Sequence, residues 1–593
     1  MHVIVSINRG HNSATTLMID GKIIWYCEEE RLSRNKYDGS PLMGLMKVFD
    51  YVDHIDELVI CHTHRHGPEL DWTGEDLYQG FIRKISRGKW EPHITYIDSI
   101  HHELHAHLGF VNSGFKTAAC VIADGAGSFL TTEAIDSTIY EFETIFKAKW
   151  PLEFEVTYKH LGSNWAVGVL PLDEEKKVLV TEYPGIVKMY EAVTMYCGFS
   201  SIEAGKTMGL SPYGKPNANL PELFRDNWSS REVLIPDYPN QSRINVQRYP
   251  ELMKDVEVLT KAHEEGTPIW TQTQKDLAYL CQKESEEQLI RLIRKAHEDT
   301  GEKNIVVSGG YGLNCVANYK YWKEFPDLNI YVEPISHDGG TSMGGALYVW
   351  HNLQETEEPV GRRESIYYGP QYNPDTYLDD IDDDVEVSDT SYQEVAELIR
   401  DENIVTIFQG RSEGGPRALG NRSILFDPTI KDGKDIVNSV KRREFFRPFA
   451  CSIKEEKVHE WFDLQGRDKT PHMMYAVDCL PGVEEKIPSV IHVDGTCRIQ
   501  TLTKDDNQHY YNLIDAFEKL SGVPILFNTS FNLGGEPLVE TIEDAIETLE
   551  TSDIKYMYLP ELQKLITIDY KNDNDKIFEY RSSFLKDDNH VEI

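Results

Sequence analysis

The chain has 593 residues, 40% of them hydrophobic, and a formal net charge of −38. That length exceeds what one core sustains, so two or more domains are expected, and so negative a surface argues against a broad nucleic-acid-binding face or docking on anionic lipid. No run of about 18 apolar residues suits a membrane span, and nine cysteines without a C-x-x-C pair fit a reducing cytoplasm.

In chain order, HVIVSI reads as a strand, NRGHNSA as a turn, and TTLMIDGKIIWYCEEE as a hairpin turning at Asp20-Gly21. The outline returns in TAACVIADGAG, SFLTTEAI and STIYEFETIF. Two strand–glycine loop–hairpin units predict a duplicated fold of the actin-like ATPase kind, with loops that offer N–H groups to phosphate. The aromatic-rich residues between Trp150 and Gly198 suit a ligand pocket or an aromatic core. Leu289, Leu292, Ile293 and Ala296 form the apolar stripe of a helix. The strand NIVVSGG, the loop GGYGLNCVAN, the strand NIYVEPIS and the glycine-rich HDGGTSMGGALYVW follow. Beyond His351 the acidic stretches NLQETEEPVGRRE and LDDIDDDVEVSD suit a connection, and a new α/β unit starts near Tyr392 with YQEVAELIRDE and NIVTIFQG. The expected domains are therefore 1–360 and 361–593.

Between the first two repeats lies HHELHAH, residues 101–107. It is not the H-E-x-x-H zinc-protease signature, but His101 and His105 are four apart and share one face of a helix. Asp124 and Asp338 each follow a predicted strand, and strand ends of a shared sheet converge. The four together make a two-imidazole, two-carboxylate set suited to Fe(II), Mn(II) or Zn(II). Spacing alone leaves the alternative of packing histidines and turn-capping aspartates.

Between Arg411 and Arg447 the chain carries nine Lys or Arg and five acidic residues, against its overall sign. These cations are interleaved with Gly410, Gly414, Gly415, Pro416 and Gly420, which let backbone approach a ligand. Guanidinium forks and ammonium groups so placed suit a ligand carrying several phosphates.

Eleven motifs then carry a resemblance. They are GHNSA, EEERLSRNK, HHELHAH, DGAG, EAGKTMGLSPYG, GGYGLNCVAN, HDGG, GRSEGGPRALGNRSILFDP, KRREFFRPFACSI, HVDGTCRIQT and FNTSFNLGGEPLVET. In this order they resemble the O-carbamoyltransferase family of NodU and TobZ. That family joins an actin-like domain similar to the threonylcarbamoyl transferase TsaD to a YrdC-like α/β domain, and HypF combines related modules. The resemblance implies a metal, iron above all, on His101, His105, Asp124 and Asp338, with His11 serving the transfer step. It implies an N-terminal site for carbamoyladenylate at Gly125, Gly127, Lys206, Gly309, Gly310 and Asn314. ATP, its Mg²⁺ and carbamoyl phosphate would meet Arg417, Lys441, Arg443, Arg447, Arg498, Thr529, Ser530 and Asn532 of the C-terminal half. Lys441-x-Arg443 is similar to the K-x-R pair of YrdC, and Thr529-Ser530-Phe531-Asn532 to its T-S-x-N stretch. Asn12 and Ser128 depart from the pattern, where many members carry Asp and Glu. The implied activity is ATP-dependent carbamoylation of a hydroxyl on a sugar, an antibiotic-like metabolite or a hydroxymethylated nucleobase. The charge disfavours an extended nucleic acid. The competing reading is an actin-like metabolite kinase or ATPase with a regulatory C-terminal module.

Overall fold

The structure is a computed structural model. It describes all residues except 64–75, 133–134, 164–168, 182–183, 221, 225–243, 245–251, 257, 260–268, 355–364, 379–384 and 569–593, and gives the backbone alone for 131–132 and 135–138. The chain divides into two compact units, Met1–Ser33 with Tyr37–Ile366, and Arg34–Lys36 with Tyr367–Ile593. The boundary expected near residue 360 lies outside the described residues.

The first unit repeats one topology. Strands β1 (Val3–Asn8), β2 (Ala14–Ile19), β3 (Lys22–Glu28), β4 (Glu57–Cys61) and β5 (His93–Ile97) form a sheet of order β3-β2-β1-β4-β5. Its hairpin pairs are antiparallel, and β1, β4 and β5 run parallel. The turn between β2 and β3 holds Asp20 at φ 46° and Gly21 at φ 77°, the left-handed pair that a two-residue hairpin needs.

A second sheet contains β6 (Thr117–Ala123), β7 (Phe129–Thr132), β8 (Ile135–Lys149), β9 (Glu153–Ser163), β10 (Val169–Pro171), β11 (Val178–Thr181), β12 (Asn304–Ser308) and β13 (Asn329–Val332). Its centre, β9-β8-β6-β12-β13, has the order and strand directions of the first sheet. This is the duplicated actin-like arrangement. One correspondence differs from the sequence expectation. The hairpin equivalent to β2–β3 is β8–β9, whereas SFLTTEAI supplies β7, a side strand paired only with β8. The true turn is at Trp150-Pro151, a signal overshadowed by the glycines upstream.

Helices lock the two sheets together. The helix Gly340–Leu353 lies against the helix His101–Ser113, where a Cβ at Gly344 would fall 2.2 Å from the carbonyl oxygen of Leu104. One residue on, a Cβ at Gly345 would meet Cys61 Sγ at 2.5 Å and Ser6 Oγ at 2.9 Å in the first sheet. Glycine is required here for close approach, and that approach sets Asp338 beside the histidines. The predicted stripe at Leu289–Ala296 belongs to a longer helix, Gln272–Thr300, opened by a Thr271/Gln274 capping box.

The second unit is built on a ten-stranded mixed sheet. Its order is Glu386–Asp389, Lys564–Thr567, Tyr556–Leu559, Val405–Phe408, Arg422–Phe426, Ile525–Ser530, Ala450–Lys454, Thr496–Leu502, Ala476–Cys479 and Phe462–Asp463. The predicted helix and strand near Tyr392 are present as Tyr392–Arg400 and Val405–Phe408. Among the described residues no helix is long and apolar enough to cross a membrane, and all nine cysteines are free thiols.

Candidate functional site

HHELHAH forms the first two turns of the helix His101–Ser113. Its first N–H, that of His101, donates to Ser128 Oγ at 3.0 Å, so the residue that departs from the family pattern fixes the start of the histidine helix. Ser128 is held in turn by its own N–H on Glu141 Oε2, 2.9 Å away, and Lys159 pairs with Glu141. The i, i+4 spacing brings the Nε2 atoms of His101 and His105 to 3.1 Å. Asp124 leaves the end of β6 and accepts from the N–H of Gly310 at 3.0 Å. Asp338 precedes the helix Gly340–Leu353, its carbonyl accepting from Thr341.

These four side chains converge. His101 Nε2 lies 3.4 Å from Asp124 Oδ2 and 3.6 Å from Asp338 Oδ1, and His105 Nε2 is 3.9 Å from the latter. One donor atom from each of the four falls within 4.8 Å of all the others. Both histidines and Asp124 are buried. Burial opposes charge on His101, yet the carboxylates of Asp124 and Asp338 hold its imidazole up at about 10. Burial and the neighbouring His101 push His105 down to about 3. Burial would raise Asp124, but the imidazoles outweigh it and hold this carboxyl well below the usual range.

The residues fit a divalent cation. Donor separations of 3.1–3.9 Å are what atoms about 2.0–2.2 Å from a shared ion span. The buried carboxylates demand positive charge at their centre, and His105 is a neutral imidazole with a lone pair to give.

His11 stands at the rim with its side chain 53% exposed and its Nε2 3.8 Å from Asp338 Oδ2. Asn12, in the left-handed region at φ 59°, accepts from His11 Nδ1 at 3.0 Å. That hydrogen bond leaves Nε2 as the basic nitrogen on the Asp338 side. The Asp338 carboxylate raises the His11 pKa above its ordinary value, against the opposing effect of burial.

The expected nucleotide residues fall into two groups. Gly125, Gly127, Gly309 and Gly310 border the acid–imidazole cluster. Their missing side chains are needed by the protein itself: a Cβ at Gly309 would meet the Ala123 carbonyl oxygen at 2.4 Å, and one at Gly125 would meet Glu191 Oε1 at 2.5 Å. Asn314 is occupied elsewhere, capping the helix Cys315–Glu324 and exchanging two 3.1 Å amide hydrogen bonds with Gln282. Lys206 pairs with Glu203 at 2.8 Å and lies over the Phe199 ring. Glu191, Gln282 and Glu141 had no sequence signal, because each sits mid-helix or mid-strand, outside any motif. The region from Trp150 to Gly198 is described only in part.

Gly127 supplies a sharp test of this packing. A Cβ there would lie 2.6 Å from Cδ2 and Nε2 of His102, itself fully buried and tied to Thr144 at 2.8 Å. Gly127→Ala is expected to cost about 1–3 kcal/mol and to lower bound metal, read by thermal unfolding and elemental analysis.

In the second unit, four of the five cations expected at a phosphate site, Lys441, Arg443, Arg447 and Arg498, lie near one another. Lys441 is buried, and its ammonium donates to the Ser530 carbonyl and, at 2.7 and 3.2 Å, to the carbonyl and Oδ1 of Asn532. Lys441 thus clamps the Thr529–Asn532 stretch, within which Ser530 Oγ donates to Asn532 Oδ1 at 2.6 Å. Arg443 lies over the Phe449 ring at 4.7 Å, and Arg447 reaches Glu444 at 3.5 Å. Arg498 is paired in the sheet with Ala450 and Ala476. The Nε atoms of Arg443 and Arg498 are buried without a hydrogen-bond partner. Burial first, then Arg447 and Arg498, press the Arg443 pKa well below its ordinary value, and burial with Arg443 and Arg447 does the same to Lys441. Like charges gathered around a buried lysine are costly unless an anion completes the cluster.

Residues 72–347 match the family description "Carbamoyltransferase N-terminus" and residues 396–564 "Carbamoyltransferase C-terminus". Nodulation protein NolNO of Sinorhizobium fredii is 32% identical over 92% of this chain and 77% of its own. Nodulation protein NolO of Bradyrhizobium diazoefficiens is 32% identical over 77% of this chain and 76% of its own, and Nodulation protein U of the same organism 29% over 56% and 57%. Among solved structures, full-length HypF in a phosphate- and nucleotide-bound form is 12% identical with a TM-score of 0.35, covering 60% of this chain and 56% of that one. The dehydratase component A of Acidaminococcus fermentans covers 59% of this chain and 99% of its own at a TM-score of 0.30. With both halves matched in order and a relative 32% identical over 92% of this chain and 77% of its own, the chain belongs to the carbamoyltransferase family and is a carbamoyl-transferring enzyme.

Proposed function

We propose that this enzyme is an ATP-dependent O-carbamoyltransferase that works through carbamoyladenylate. The observation that carries the ATP-dependent step is the cluster of Lys441, Arg443, Arg447 and Arg498, in which the lysine is buried and the three arginines half-buried. Such a cluster suits two phosphorylated substrates held side by side, and the Mg²⁺ that accompanies ATP offsets part of their charge. Here water splits carbamoyl phosphate into carbamate and phosphate, and the carbamate oxygen attacks the α-phosphorus of ATP, forming carbamoyladenylate as pyrophosphate leaves. Arg417 and the hydroxyl and amide groups of Thr529, Ser530 and Asn532 complete this phosphate site, with Lys441 holding that stretch in place.

Transfer follows in the first unit. A cation on His101, His105, Asp124 and Asp338, with Fe(II) favoured over Mn(II) or Zn(II), supplies Lewis-acid polarisation when bound. His11 Nε2 takes the proton of the acceptor hydroxyl as its oxygen attacks the carbamoyl carbon and AMP departs. N–H groups of the loops at Gly125 and Gly309 stabilise the developing oxyanion. The product is a carbamate ester. The acceptor is a hydroxyl on a sugar, an antibiotic-like metabolite or a hydroxymethylated nucleobase.

The test is product analysis after incubation of the full chain with ATP, carbamoyl phosphate and a panel of alcohols. AMP and pyrophosphate, with one CONH added to the acceptor, are expected. Formation of ADP, or carbamoylation that proceeds without ATP, would overturn the proposal.

A further inference from the structure

Arg417 sits in GRSEGGPRALGNR, and the structure shows why this loop has one shape. Glu413 is completely buried, and a single carboxylate oxygen, Oε1, accepts from the N–H groups of Leu419 at 2.7 Å, Asn421 at 2.8 Å and Arg422 at 3.3 Å. Converging backbone N–H groups of this kind make a concavity for an anion, and here the chain fills it with its own side chain. The loop carbonyls are taken from the other side. Ala418 accepts from Asn528 at 3.3 Å, Leu419 from Gln500 at 3.0 Å and from Tyr367 at 2.9 Å, and Gly420 from Gln409 at 2.8 Å. Gly420 is at φ 106°, and a Cβ there would fall 2.2 Å from the Tyr510 ring. Only the apex remains at the surface, with Pro416 exposed and Arg417 half-buried.

We propose that Glu413 is a positioning residue for Arg417: its buried carboxylate ties the far side of the loop to its base, and so presents the Arg417 guanidinium to substrate phosphate. The proposal rests on the reading of Arg417 as a phosphate ligand. Glu413 itself touches no substrate. Without it, three buried N–H groups lose their acceptor and the loop relaxes into water, so the guanidinium is no longer held for a bidentate contact. The loss falls on substrate affinity before it falls on turnover.

The experiment is a double-mutant cycle on the full chain, read as carbamoyl-phosphate-dependent exchange of pyrophosphate into ATP. Arg417→Ala should raise KM for a phosphorylated substrate about 100-fold, and Glu413→Ala about 30-fold with kcat within about threefold. Glu413→Gln, which keeps a carbonyl oxygen for the three N–H groups, should stay within about threefold of the parent. The double variant Glu413→Ala/Arg417→Ala should bind no worse than Arg417→Ala alone. Multiplying effects would overturn the positioning role while leaving Arg417 as a ligand. An Arg417→Ala variant with unchanged KM would overturn both. Should Glu413→Ala fail to fold, Glu413→Asp and Glu413→Gln carry the test. Asp, one methylene short, should raise KM where Gln does not, and the reverse order would refute the proposal.

Discussion

His105→Ala will lower carbamoyl transfer to acceptor by about three orders of magnitude, the several kcal/mol attributed to a Lewis-acid centre, while pyrophosphate exchange stays within about twofold. The asymmetry follows from where His105 sits. It belongs to the first unit, and its Nε2 lies 3.1 Å from His101 Nε2 and 3.9 Å from Asp338 Oδ1. The residues assigned to adenylate formation all belong to the second unit. Removing a neutral donor leaves two carboxylates and one imidazole, a three-ligand set that holds an ion less tightly than four. Elemental analysis should therefore show metal falling with transfer activity. Folding is a separate matter, because the deleted ring leaves a cavity worth about 2–4 kcal/mol. His105→Gln, which fills more of that space, distinguishes loss of the ligand from loss of packing. If exchange collapses together with transfer in both variants, the two half-reactions are not divided between the units as proposed.

What the sequence made readable was local chemistry. The i, i+4 histidines needed only a helix, and the Asp20-Gly21 turn only its two left-handed residues. Asp124 and Asp338 were found because strand ends of one parallel sheet must converge, and β6, β12 and β13 are parallel neighbours. The hidden features are those whose partners lie far away in sequence. Gln282 reads as one polar residue on a charged helix until Asn314 faces it, and Glu413 reads as a surface acid until three N–H groups close on it. Periodicity found only the C-terminal part of the helix Gln272–Thr300 for a related reason. Its buried face runs through Cys281, Gln282 and Ser285 before Leu289, so half of the stripe is written in small or polar letters. The parallel pairing of Ala450–Lys454 with Thr496–Leu502 spans more than forty residues and leaves no mark on local composition.

Two cations of one cluster should respond to the same neutral replacement with opposite signs of stability. Arg443→Met is expected to raise the unfolding free energy of the substrate-free protein by about 1 kcal/mol. Its Nε is buried without a partner, and Arg447 and Arg498 repel its charge. Exchanging such a group for an apolar one of similar volume is often stabilising, although the contact with Phe449 is lost. Lys441→Met should instead cost about 2–4 kcal/mol, because the carbonyls of Ser530 and Asn532 then lose a buried donor. Both variants should lose pyrophosphate exchange by at least about 100-fold. Thermal unfolding with and without ATP and carbamoyl phosphate separates the contributions: Arg443→Met starts higher than the parent and gains little from substrate, whereas Lys441→Met starts lower. The physical content is a site that holds repulsion in reserve for its ligand, so that stability forgone in the empty protein is recovered on binding. An Arg443→Met protein that unfolds earlier than the parent, or that still exchanges pyrophosphate, would mean that this arginine is structural and that the anion is held elsewhere.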